Sequence, residues 1–222
     1  SLRNHGQADR LALGLVKDGV DLLPDLGYPV TWNSRAQWEG NSLAHNTVTV
    51  DETQPDYWSI RGQGRLFAST AGVHLAVATH DPYPGGLRAG ARPVRTFERS
   101  VLLVETEGED PYVVDLFLVD GGEQHDQSWH GMLTRVLNPD LGWAPQARGT
   151  LAGPGVPEFA GYTDSWGRER PNGDFPSYLT HVQRARLEGP ARWRWSSGLA
   201  EGDLLDLYLL PVDGPAEVIQ AR

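Results

Sequence analysis

Three groups of residues near the start of the chain combine imidazole, carboxylate and amide chemistry. They are His5-Gly6-Gln7-Ala8-Asp9, then Leu23-Pro24-Asp25-Leu26-Gly27-Tyr28, then Ala44-His45-Asn46-Thr47-Val48-Thr49-Val50-Asp51. Two imidazoles, a carboxylate and an amide gathered at one place could orient a polar ligand or move a proton, because histidine titrates near neutrality and a neighbouring acid or amide fixes its tautomer. The competing reading is that these groups satisfy one another at a loop-rich end of a β-domain. Spacing alone favours the second reading, since scattered His and Asp are a weak signal.

The elements that would gather them are strands. Segment 8–16 places Leu11, Leu13 and Leu15 on one side, Asp18-Gly19 follows, and segment 20–23 is apolar. Asp-Gly between two apolar stretches is a hairpin signal. In such a hairpin the outer ends lie side by side, so His5, Gln7 and Asp25 are expected to converge, and His45, entering a strand over 46–51, is expected at the same end. Further strands are predicted at 66–69 and 73–79 around Gly72, and at 96–105 and 112–119 joined through Gly108-Glu109-Asp110. Segments 179–187, 193–196 and 204–210 complete a pattern that suits an all-β, antiparallel two-sheet sandwich. Residues 138–176 are rich in Gly, Pro and Trp without a period, and are expected to form a functional loop or an excursion over one sheet.

Composition agrees with that class. The chain has 222 residues, 39% of them hydrophobic, with 26 Gly and 16 Pro. This supports a sizeable core in one sandwich domain over 1–222, with many turns and almost no helix-period stripes. A formal net charge of −10 argues against nucleic acid as a partner. It also means that attraction to an acidic polymer must be local. Cysteine is absent, which excludes disulfides and thiolate metal sites. No apolar run approaches a membrane span. No signal peptide is visible, but Ser1 does not look like a natural start, and the chain ends within a β-rich pattern. Both ends are therefore expected to be truncated.

The run HGQADRLALGLVKDGVDLLPDLGYP, followed by SLAHNTVTVDETQPD, resembles the heparinase II/III-like polysaccharide lyase family. The resemblance continues through Arg99-Ser100-Val101-Leu102 and through DLFLVDGGEQHDQSWHG over 115–131. Several motifs in the family's order are more specific than any one of them.

The resemblance implies a carboxy-terminal β-sandwich whose partner, an amino-terminal α/α toroid carrying acid/base residues, lies outside this sequence. It implies an anionic polysaccharide such as alginate or a glycosaminoglycan, cleaved by β-elimination, and a secreted or periplasmic bacterial setting. His5 matches the family's carboxylate-neutralising histidine, and Tyr28 is the fallback base if one lies in this chain. Substrate contacts are expected from Trp32, Trp38, Asn46, Arg99, His125 and His130, with a carboxylate of the protein as the alternative partner of Arg99. The family's sandwich often holds zinc at positions that are Gln7, Asp25 and His45 here. Gln7 departs from a histidine ligand, and a neutral amide is a poor zinc donor, so the site is expected to be degraded and the three side chains to form a polar network. Leu26 and Gln127 also depart from the family pattern. Residues His125, Asp126 and His130 have a plainer reading as a stabilised turn, Trp129 is expected in the core, and His74, His80 and His181 are read as ordinary strand or loop residues.

Overall fold

The computed structural model describes residues 7–26, 38–52, 61–83, 92–131, 135–160, 162–163, 169–170, 175–196, 204–210 and 214–222. Its regular structure is almost wholly β, and every strand pairing is antiparallel, in keeping with the sandwich class expected. The chain divides into two compact units: Ser1–Leu13 with Gly40–Trp129, and Gly14–Glu39 with His130–Arg222.

The second unit begins with the hairpin of β1 (Leu15–Lys17) and β2 (Val20–Leu23). Asp18 and Gly19 both take positive φ, 51° and 79°, as a tight two-residue turn between twisted strands requires. The first unit contains β3 (Val48–Val50), β4 (Gly62–Thr70), β5 (Val73–His80), β6 (Thr96–Val104), β7 (Tyr112–Asp120) and β8 (His125–Gln127). Strands β4 to β7 form a four-stranded meander, and β3 pairs with β8. Back in the second unit follow β9 (Arg135–Leu137), β10 (Ala144–Pro145), β11 (Tyr162–Thr163), β12 (Glu169–Arg170), β13 (Gln183–Leu187), β14 (Ala191–Ser196), β15 (Leu204–Leu209) and β16 (Ala216–Gln220). These give the sheets β10-β13-β16 and β15-β14-β9 and the β11–β12 pair.

One expectation is corrected. The first strand begins at Leu15, not at Ala8. Leu11 sits at φ 54°, which interrupts extended backbone, and segment 8–13 bonds to 40–47 in place of a strand partner. The described residues 138–160 contain β10 and a network of loop hydrogen bonds.

The core of the first unit is Val48, Val50, Tyr83, Val94 and Phe97, with Leu11, Phe117 and Val119 packed against it. Burying side chains of this size contributes about 1.5–3 kcal/mol each. Strand β7 alternates: Asp115, Phe117 and Val119 are partly buried, whereas Tyr112, Val114, Leu116 and Leu118 are exposed.

Candidate functional site

In the first unit the motif residues form a clamp. Ala8 N–H donates to the Gly40 carbonyl, and Leu13 N–H to the Asn46 carbonyl, at 3.0 and 3.1 Å. Side chains reinforce both ends. Ser42 Oγ donates to the Ala8 carbonyl at 2.8 Å, Thr47 Oγ1 to Arg10 at 2.6 Å and Asn46 Nδ2 to Leu13 at 3.2 Å. Between them a 3-10 turn, Ser42–Ala44, is capped by Asn41, whose Oδ1 accepts from Leu43 N–H. His45 ends that turn, and His45, Asn46 and Thr47 are all buried. The local sequence explains the clamp: short hydroxyl and amide side chains at 41, 42, 46 and 47 bond backbone that has no sheet partner.

Arg99 locks the clamp from β6. Its Nε and Nη2 donate to the two oxygens of Asp115 on β7, each at 2.7 Å. Its Nη1 donates to the carbonyls of Leu11 and Asn46, both at 2.6 Å. The guanidinium also lies over the rings of Phe117 and Trp129, with centroids at 5.3 and 5.7 Å. Of the two partners the sequence leaves open for Arg99, the structure supplies the protein carboxylate. With side-chain exposure of 4%, the guanidinium belongs to the scaffold of the motif. Asn46 likewise directs its amide into the clamp.

His125, on β8, is exposed, and its Nε2 lies 2.7 Å from the Gly121 carbonyl. A carbonyl only accepts, so Nε2 carries the proton in that contact. Asp126 accepts from Gln124 Nε2 at 2.9 Å. The turn before β8 is held by Asp51, whose Oδ1 accepts from Glu123 and Gln124 N–H at 2.8 and 2.9 Å. Asp51 and Asp115 stand inside motifs quoted from the sequence, which assigned neither a role. For Asp115 the available signal was a carboxylate in an otherwise apolar strand, which needs a partner when buried. Gln127, one of the departures from the family pattern, reaches Asp115 at 3.5 Å.

His80, read from sequence as ordinary, is buried between Tyr83 and Phe97, with ring centroids at 5.5 and 5.4 Å. Its Nδ1 donates to the Asp81 carbonyl at 2.9 Å, and burial pulls its pKa down from 6.5 to about 4. Burial likewise raises the Tyr83 hydroxyl. His74 contacts Ser69 and Glu105, and His181 contacts Thr180.

In the second unit Trp38 stacks on Tyr178 at 5.9 Å and 22°, and His130 meets the Trp38 edge at 6.3 Å. The structure thus brings Trp38 and His130 together, with Tyr178 as a residue the sequence did not single out. Asp25 follows β2 and is exposed, and Gln7 in the first unit is half-buried. His5, Tyr28 and Trp32 lie outside the described residues.

The donor set Gln7, Asp25 and His45 does not fit a zinc ion well, because an amide oxygen stands where an imidazole is wanted. Among the described residues no three His, Asp or Glu side chains group in a way that would hold a metal ion. No helix among the described residues is long and apolar enough to cross a membrane.

An antiparallel, all-β chain whose clamp joins segments 8–13 and 40–47 defines the class: a β-sandwich domain. The family model described as Heparinase II/III-like, C-terminal matches residues 1–153, and the chain belongs to that family. Comparison with curated proteins and with solved structures gives no match.

Proposed function

We propose that this chain is the sandwich part of a lyase that cleaves a uronic-acid-containing polysaccharide, alginate or glycosaminoglycan-like, by β-elimination. The observation that carries the reading is the family match over 1–153, which spans both halves of the clamp and the Arg99–Asp115 lock. In the reaction a base removes the C5 proton, the electron pair forms the C4–C5 double bond, and the C4–oxygen bond breaks. The leaving oxygen then takes a proton. Negative charge builds on the carboxylate as C5 loses its proton, so a cationic or hydrogen-bonding group there lowers the barrier. His5 is assigned that role. Trp32, Trp38, His125 and His130 are assigned sugar contacts, and the buried Asn46 supports the segment that carries His45. The principal acid and base are assigned to an amino-terminal helical toroid, and the setting to the bacterial periplasm or exterior. Tyr28 is the fallback base within this chain.

Gln7 favours one second reading: a carbohydrate-binding or structural sandwich whose site has lost a ligand. The unsaturated uronic end absorbs in the ultraviolet, which separates the two. The 222-residue chain alone is expected to give no signal on alginate, heparan sulfate or hyaluronan. Loss of a positioned acid/base group costs about 10²–10⁴-fold, and loss of half a cleft costs further orientation. A longer product of the same gene carrying the toroid is expected to be active. In it His5→Ala should lower kcat more than it raises KM, because the charge it meets develops in the transition state. Turnover by the isolated chain would place the base within it, at Tyr28 first. A toroid-bearing protein that binds a uronate polymer and cleaves none would establish the binding reading.

A further inference from the structure

Segment 138–176 stands apart in the sequence, and the function above gives it no role. Its described part is a built loop. Gln146 Nε2 donates to the carbonyls of Arg148 and Thr150 at 2.9 and 2.8 Å, and Thr150 and Gly153 exchange backbone bonds at 3.1 and 2.9 Å. Leu151 N–H donates to Leu179 at 2.8 Å, and Phe159 N–H to Ser177 at 3.2 Å. Gly149 sits at φ 78°, and a Cβ there would lie 2.4 Å from the Gly153 carbonyl oxygen, so the turn is close-packed. Thr150 and Ser177 are buried.

This frame carries an open depression of about 330 Å³ lined by Arg148, Gly149, Pro154, Gly155, Val156 and Pro157. That is large enough for a small ligand or one sugar residue. Two features point to the occupant. Arg148 is exposed and its guanidinium has no partner among the described residues, whereas Arg184, Arg186, Arg192 and Arg194 of the same unit each face a carboxylate. Phe159 follows Pro157 by two residues, so its backbone lies within about 7 Å of the lining. It is 46% exposed and held at φ 56°, a conformation a bulky side chain avoids unless its surroundings impose it. The surroundings are the Ser177 hydrogen bond and the Tyr178 ring, which meets Phe159 edge-on at 5.0 Å and 88°.

We propose that this depression is a subsite for an acidic sugar residue: Arg148 binds the uronate carboxylate and the Phe159 ring stacks on the pyranose. A guanidinium matches a carboxylate in a two-point hydrogen bond, and an exposed aromatic face suits the C–H face of a sugar. The inference rests on the uronate-polymer reading and adds to it a site that straddles residue 153, where the family match ends.

The test is calorimetric titration of the intact chain with an alginate-derived tetrasaccharide and, in parallel, with a neutral glucose tetramer. Arg148→Gln should weaken the acidic ligand by about tenfold or more, the loss typical of one charge-assisted contact. It should leave any weak binding of the neutral tetramer unchanged. Arg148→Lys should recover part of the loss, and Phe159→Ala should weaken both ligands. Arg148 is exposed, so unchanged thermal melting is expected for its variants and keeps the result interpretable even if Phe159→Ala unfolds. Wild-type binding that neither Arg148 variant alters would overturn the subsite and leave the uronate reading standing. No binding of the acidic tetramer by the wild-type chain also overturns the subsite, and the ultraviolet assay then decides the lyase reading by itself.

Discussion

Replacing Arg99 by Leu is expected to be among the most damaging single changes in the first unit. The substitution removes both hydrogen bonds to Asp115 and both bonds from Nη1 to the Leu11 and Asn46 carbonyls. The Asn46 carbonyl keeps a donor in Leu13 N–H, but the Asp115 carboxylate, only 11% exposed, retains only the long 3.5 Å contact with Gln127 among its described side-chain bonds. Stranding one member of a buried pair costs about 3–5 kcal/mol. Desolvation is the reason: the Coulomb attraction is lost while the carboxylate stays out of water. Asp115→Leu should cost a similar amount by stranding the cation. The double variant Arg99→Leu/Asp115→Leu should cost clearly less than the two single changes added, by about 2 kcal/mol or more, since no charge is then left buried. Urea denaturation followed by tryptophan fluorescence gives each value from the midpoint at constant m. A loss below about 1 kcal/mol for Arg99→Leu, the range of an exposed pair, would refute the reasoning. Strict additivity of the two changes would refute the coupling.

Gly122→Ala should destabilise by about 2 kcal/mol or more in thermal melting, because the new Cβ would lie 2.2 Å from Val50 Cγ1 at φ 67°. Gly142→Ala, at φ 66° with open space, should cost only the left-handed penalty of about 1–2 kcal/mol. His80 is neutral in the fold down to about pH 4 and titrates near 6.5 when unfolded. Its contribution is therefore fully present above pH 6.5 and is lost as pH falls from 6.5 to 4, by up to about 3 kcal/mol. His80→Phe should remove that part of the slope in denaturation series across the window, and an unchanged slope would refute the assignment. Elemental analysis of protein purified without chelator should find well under one zinc per chain. Gln7→His should raise zinc affinity, and stoichiometric metal in the wild type would show that other groups complete the shell.

The sequence determined by itself the all-β class, the hairpin at Asp18-Gly19 and the long strands β6 and β7, because turn chemistry and period-two alternation act over a few residues. The order of the motifs also carried the family. Tertiary structure alone decided what those motifs bond to. Segment 8–13 alternates like a strand, yet it bonds to 40–47, since the hydroxyls and amides that clamp it lie more than thirty residues away and no local pattern announces them. Arg99 read equally well as a ligand contact or a protein pair. The register that sets Arg99 opposite Phe117, with Asp115 one diagonal step away, placed its charge inside the protein. His80 looked like any strand histidine until Tyr83 and Phe97 closed over it and held it neutral. Each of these outcomes is set by which surfaces lose water together, and that depends on contacts between distant segments rather than on the residues beside each one.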